Sequence, residues 1–365
     1  MYAERLSRLS DQAIRHGIDA FALIPGPNLF YLTGLSCHMS ERPIVAFFPA
    51  AGTPVIVLPK LEAARAESGS VEMEVFAYTD EQGYATAFWA ACQATPLSGW
   101  SVGVETMRMR WLEIRLLEQY APGLRLIPAD DVLAELRVCK DAAELEHIRE
   151  AARITEAALE ATVEQISVGI TERELASLLM IETLRVGSDG AAFAPIVVAG
   201  PNAALPHATP SDRPIGLGET IVIDCGASVG GYAADITRTF ALGPLDSELT
   251  RVYETVRAAN SAGRAEAKPG IPAEMVDQAT RAFIDGAGYG QHFIHRTGHG
   301  LGLEIHEPPY IVEGNTRHLE PGMVFTVEPG VYLPGVGGVR IEDDVVVTHG
   351  GAESLTSFPR ELRTL

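Results

Sequence analysis

Apolar and polar positions along the first stretch of the chain change character every few residues. Short β-rich runs fall at 21–24, 44–48, 55–58, 74–78 and 101–104, with helical patterns near 61–67, 81–94 and 107–120. Strands and helices in this order predict an α/β unit. The opening residues (MYAERLSRLSDQAIRHG) predict a surface helix with Leu6, Leu9 and Ile14 on one face. From Asp141 the pattern turns to long helices. Asp141 and Glu144 read as an N-cap and its capping-box partner, and Thr171 with Glu174 repeats that signature. Further helices are predicted from Ser247 to Lys268, stopped by Pro269-Gly270, and from Ala273 to Ala287, ended at Gly288. Strand runs at 194–199, 220–225, 233–240, 323–327 and 338–347 lie between and after them. Helices and antiparallel hairpins together predict an α+β unit.

A length of 365 residues suits two domains. The change of pattern near 137–141 places them at 1–136 and 137–365. The longest apolar stretch, 43–58, is broken by Pro49, Gly52 and Pro54, so no run reaches the ~18 residues of a membrane span. The N-terminus does not read as a signal peptide. Cys37, Cys92, Cys139 and Cys225 lie far apart without a CxxC, which disfavours disulfides and a thiolate zinc site and fits a reducing cytoplasm. The net charge of −20 argues against nucleic-acid and anionic-membrane partners. Neither a GxGxxG nor a GxxxxGK[ST] motif is present, so dinucleotide redox chemistry and P-loop chemistry lose their usual fingerprints.

Carboxylates change the picture of the second half. In IVIDCGASVGGYAADITRTF, Asp224 and Asp235 are equidistant from a turn centred between Val229 and Gly230. In a regular antiparallel hairpin they face each other with Cβ atoms roughly 4.5–5.5 Å apart. Two such charges repel unless a divalent cation lies between them. The competing reading is a coincidental, solvated pair. A second hairpin, MVFTVEPGVYLPGVGGVRIEDDVVV, sets Glu328 and Glu342 equidistant from Gly335. Between the hairpins, HRTGHGLGLEIHEPP carries His299 between two glycines and His306 seven residues on. His207 lies upstream in the Pro-bounded PNAALPHATP loop. His16, His38, His147, His318 and His349 read as ordinary surface or core histidines.

Four carboxylates and one imidazole form an oxygen-rich ligand set that suits Mn²⁺ and tolerates Co²⁺, Fe²⁺ or Zn²⁺. Their charge balances two divalent ions. Such a pair lowers the pKa of a bridging water and polarises a carbonyl, which is hydrolytic equipment. His207 and His306 are candidates to donate hydrogen bonds or relay protons, and Glu328 to accept the proton of the attacking water. Arg340 shares a strand face with Glu342 and is a candidate for a substrate carboxylate, or else a structural ion pair.

These motifs resemble the M24-type, pita-bread metallopeptidases: Xaa-Pro dipeptidases (prolidases), aminopeptidase P, methionine aminopeptidase and the metal-free creatinase. The resemblance rests on VIDCG at Asp224, ADITRTF at Asp235, GHGLGLEIHEPP at His299 and His306, VEPG at Glu328 and VRIEDD at Glu342, with PNAALPH at His207. It implies Asp224, Asp235, His299, Glu328 and Glu342 as metal ligands, a pita-bread catalytic domain and a creatinase-like N-terminal domain. It implies hydrolysis of Xaa-Pro dipeptides by a metal-bridging hydroxide. Aminopeptidase P activity on longer peptides, or another small-amide hydrolysis, is the alternative, and a peptide-binding module without catalysis is a third reading. Relatives of this layout are commonly homodimers, so the 36–43 loop of a partner copy, with Glu41 or Arg42, is a candidate to border the site.

Overall fold

The computed structural model describes residues 1–365. The chain divides into two compact units, Met1–Arg137 and Val138–Leu365.

The first unit is built on a six-stranded mixed sheet in the order Glu74–Tyr78, Val55–Pro59, Val45–Pro49, Ala20–Leu23, Ser101–Val104, Arg125–Pro128. Its inner strands are apolar without interruption because helices cover both faces; Ala20–Leu23 and Val55–Pro59 are buried along their whole length. The edge strand Arg125–Pro128 and the helices Pro27–Thr33 and Asp130–Arg137 carry too little pattern to have been expected. The first helix, Tyr2–His16, forms, but its buried face is Arg5, Leu9 and Ala13, and Ile14 is 72% exposed. Stacking decides this: the Arg5 guanidinium lies 3.9 Å from the centre of the Tyr31 ring and donates to the Tyr31 carbonyl. In the 36–43 loop, Arg42 forks onto Asp80 at 2.8 and 2.7 Å and also meets Glu41.

In the second unit, Ala142–Val163 and Glu172–Val186 start in the two capping boxes, each with both reciprocal bonds made. They pack on a three-stranded sheet of Ile196–Ala199, Glu219–Cys225 and Ile236–Leu242. Helices Ser247–Glu266 and Glu274–Gly286 cover strands Val324–Val327, Gly330–Leu333 and Gly337–Arg340. Both long hairpins are interrupted where their acids lie. Asp235 falls between Tyr232–Ala233 and Ile236–Leu242, Glu328 between Val324–Val327 and Gly330–Leu333, and Glu342 between Gly337–Arg340 and Asp343–Thr348.

Register differs between the hairpins. In the second, Val327 pairs with Asp343 and Gly330 with Arg340, so Glu328 and Glu342 are bracketed face to face. In the first, Asp224 faces Thr237, not Asp235. The turn residues are Gly230 and Gly231, both at positive φ, so its centre is one residue later than equal spacing implies and the ladder shifts by two.

Candidate active site

Asp235, Glu328 and Glu342 sit at strand interruptions and Asp224, His299 and Arg340 within strands, and all of them face one cavity of about 530 Å³. Asp224, Asp235, His299, Glu328 and Glu342 all line it, together with His207, His306 and Arg340. Donor atoms of Asp235, His299 and Glu342 lie within 4.8 Å of one another. His299 Nε2 is 3.4 Å from Glu328 Oε1 and 3.7 Å from Asp235 Oδ2. The eight side chains singled out in the sequence therefore meet at one place.

His299 is held by its surroundings. A Cβ on Gly298 would lie 1.8 Å from the Thr326 carbonyl oxygen, and one on Gly300 would lie 2.3 Å from that of Pro308. Only glycine fits on either side of this histidine. With Nδ1–H donating to the Gly300 carbonyl at 3.1 Å, the Nε2 lone pair faces the carboxylates. Burial, and then His306, push its pKa down to about 3, so the ring is in its ligating, neutral form. The acids are positioned in the same way. The Thr237 hydroxyl donates to Glu342 at 2.6 Å, the Thr326 hydroxyl to Glu328 at 3.3 Å, and the Asp235 N–H to Asp344 at 2.9 Å.

The cluster's electrostatics are unfavourable by themselves. Burial, then the charges of Glu342, Asp224, Asp344 and Glu328, raise Asp235 well above the usual carboxylate range. Burial, then Glu328 and Asp224, do the same to Glu342. Burial is the main cause that lifts Glu328 to about 7. Asp224 Oδ1 and Asp235 Oδ1 are buried without a hydrogen-bond partner. Crowded carboxylates, orphaned oxygens and a neutral imidazole fit divalent cations, which supply the missing positive charge and the missing partners.

Three polar groups at the site had no role assigned from the sequence: His295 and Arg296, which line the cavity, and Tyr332, which bonds to Arg340 and His295. His295, four residues before His299, sits in a hydrogen-bonded chain. Arg340 Nη1 donates to the Tyr332 hydroxyl at 3.1 Å, that hydroxyl donates to His295 Nε2 at 2.8 Å, and His295 Nδ1 donates to the Arg296 carbonyl at 2.7 Å. Burial pushes His295 down to about 4. Tyr332 and Arg296 are the other two. No spacing rule would have found them, because strand breaks and packing bring them in. Arg340 is on the cavity wall, but its donors are taken by Asp224 at 2.5 Å, Tyr332, Thr237 and the Pro206 carbonyl.

A buried ion pair supports the segment that carries His306. Lys140 Nζ meets Glu307 Oε1 at 2.6 Å, and both side chains are shielded from solvent. Glu307 pairs through its backbone with Gly300, next to His299. Glu307→Gln leaves the ammonium buried without its counter-charge. A loss of about 3 kcal/mol or more is expected in denaturant unfolding of the second unit; a loss under about 1 kcal/mol would show that water reaches the pair.

A family model described as metallopeptidase family M24 matches residues 146–349 and spans all eight of these residues. The chain belongs to metallopeptidase family M24. The model of the creatinase/prolidase N-terminal domain matches residues 5–139 of the same chain. A Xaa-Pro dipeptidase of Pyrococcus horikoshii is 33% identical, with 98% of each chain covered. The crystal structure of a prolidase from Thermococcus sibiricus superposes with a TM-score of 0.95 at 36% identity, covering 100% of this chain and 99% of that one. An X-Pro aminopeptidase structure from Thermotoga maritima gives 0.84 at 33% identity, over 96% and 98%. The M24 fold is thus the pita-bread architecture, carried behind a creatinase-type α/β unit. No helix is long and apolar enough to cross a membrane.

Proposed function

We propose that this M24 peptidase is a Xaa-Pro dipeptidase that releases proline from dipeptides. The observation that carries the reading is the meeting of four carboxylates and a neutral imidazole on the wall of a cavity that also has an apolar side, formed by Phe193, Ile196, Pro206 and Ile305. That apolar side suits a pyrrolidine ring. Asp224, Asp235, His299, Glu328 and Glu342 would hold two divalent cations, with Mn²⁺ best matched to so many oxygens. When bound, the pair supplies Lewis acidity and an activated water.

The chain's own groups do the rest. Glu328 Oε1, beside the Thr326 hydroxyl, accepts the proton of the attacking water. His306 stands with its ring 4.2 Å from that of His299 and reaches the cavity from its exposed side. Burial and then Arg296 lower its pKa, so at neutral pH it is an uncharged donor to the oxygen that gains charge in the transition state. His207 serves the substrate from the opposite loop. Arg340 anchors Asp224 and Tyr332, and it meets a substrate carboxylate only by exchanging one of those bonds. We place the enzyme in the cytoplasm as a homodimer; its four free cysteines suit a reducing compartment.

Proline release from Ala-Pro, with Mn²⁺ and after chelation, tests the reading beside Ala-Pro-Ala. Mn²⁺-dependent cleavage of Ala-Pro, with the tripeptide at least about tenfold slower in kcat/KM, is expected. Cleavage of the tripeptide alone would move the assignment to aminopeptidase P, the activity named for the Thermotoga structure.

A further inference from the structure

We propose that a second pocket, beside the helix Ser247–Glu266, binds a phosphate group. This pocket shares no residue with the catalytic cavity, and its role does not depend on the dipeptidase reading.

The helix supplies most of the donors. Arg257, Ser261 and Arg264 are spaced i, i+4 and i+7, so one face of Ser247–Glu266 carries all three. Arg360 reaches the same pocket, of about 330 Å³, from the C-terminal segment. Each arginine has a nitrogen to spare. Arg257 spends Nε and Nη2 on Glu254, at 2.9 and 2.7 Å, and keeps Nη1. Arg264 donates from Nε to Asn260 at 2.8 Å and from Nη1 to Ser354 at 3.3 Å, and keeps Nη2. Arg360 puts Nε and Nη2 on Asp343, both at 2.7 Å, and keeps Nη1. The Ser261 hydroxyl has no partner in the protein either. Three guanidinium nitrogens and a hydroxyl thus meet at one pocket without an acceptor. A tetrahedral oxyanion has the oxygens to take them.

Charge favours the same ligand. Buried Asp343 receives Arg238 at 2.8 Å, Arg360 at 2.7 Å and Arg264 at 3.5 Å. Arg238 is itself 1% exposed and already balances that carboxylate. Glu254 answers Arg257, and exposed Glu361 also lines the pocket. Four arginines therefore exceed three acids by one charge, in a chain whose net charge is −20. Arg264 registers the crowding. Burial is the main cause that lowers its pKa, and Arg360 and Arg238 push the same way against Asp343. A bound anion relieves this repulsion. Holding Asp343 explains Arg238 and Arg360, but it does not explain why Arg257 and Ser261 share a face with Arg264.

Calorimetric titration of the Mn²⁺-loaded full chain tests the proposal, with inorganic phosphate and glycerol 3-phosphate as probes and chloride holding the ionic strength constant. One probe molecule per chain is expected, with a Kd of about 1 mM or tighter for at least one of the two. Arg257→Gln and Arg264→Gln are each expected to raise that Kd about 10-fold or more, the range for a hydrogen bond to a charged group. The Arg257 side chain is 42% exposed, so Arg257→Gln should melt within about 2 °C of the wild type in chloride, and its lost affinity is then not a lost fold. Tighter binding of glycerol 3-phosphate identifies the ligand as a small phosphomonoester; tighter binding of inorganic phosphate identifies it as the free ion. Binding that both variants leave unchanged puts the anion on the metal ions and overturns the proposal. A Kd weaker than about 1 mM for both probes overturns it as well.

Discussion

Asp235→Asn is expected to lower kcat/KM by at least about a thousandfold, some 4 kcal/mol of transition-state stabilisation, while making the metal-free protein more stable. The two effects have one cause. Asp235 is 5% exposed and shares its surroundings with Asp224, Glu328, Glu342 and Asp344. Its Oδ1 has no protein partner. Without cations, one more negative charge in that cluster is repulsive. Asparagine keeps the shape and removes the charge, so the chelated variant should melt about 2–4 °C higher, roughly 1 kcal/mol for a unit of this size. Mn²⁺ should then raise the variant's Tm far less than the wild type's. An ordinary core position behaves in the opposite way, because a polar change there destabilises. A variant with wild-type turnover and a wild-type Mn²⁺ response would remove Asp235 from the site.

The chelated wild type should lose stability as pH rises above about 6.5, and Mn²⁺ should reverse the trend. Asp235, Glu342 and Glu328 all have pKa values raised by folding. The folded chain therefore holds more protons than the unfolded chain above the ordinary carboxylate range. Stability from this source is full below that range and is lost as pH climbs through the raised values, which for Glu328 centre at about 7. His299 and His295 act in the other direction. Their folded values, about 3 and about 4, lie below the ordinary 6.5, so their contribution is present above 6.5 and fades as pH falls. The carboxylates thus act alone from about pH 6.5 upward. Melting temperatures at pH 6.5, 7.5 and 8.5 should fall in chelator. The Mn²⁺-induced rise should grow across the same range, since bound cations displace those protons. A chelated Tm that rises with pH in this window would contradict the crowded-acid description.

What was legible in the sequence was local. The capping boxes at Asp141–Glu144 and Thr171–Glu174 depend on residues three apart, and both form. Glu328 and Glu342 face each other because the turn at Gly335 is symmetric about them. The same rule placed Asp224 opposite Asp235. It missed by two positions because the turn is centred between Gly230 and Gly231, and the same register continues past the gap in the ladder at Gly226. There a Cβ would lie 2.0 Å from the Ala234 carbonyl oxygen. The two acids still reach one cavity, because the break lets Asp235 leave its strand direction. The placement of Tyr332, His295 and Arg296 was not legible, since a hydrogen-bonded chain from Arg340 and a stack on Tyr310 fix where they lie. In the first unit, the faces of Tyr2–His16 were misjudged because apolar spacing could not show that Arg5 stacks on Tyr31.

The most direct measurement is an anomalous difference map from crystals of the full chain grown with Mn²⁺ and collected at the manganese edge. Two peaks are expected, both enclosed by Asp224, Asp235, His299, Glu328 and Glu342. A cavity without a peak, or manganese bound elsewhere while these five side chains stay as they are, would contradict the assignment of a two-cation hydrolytic centre.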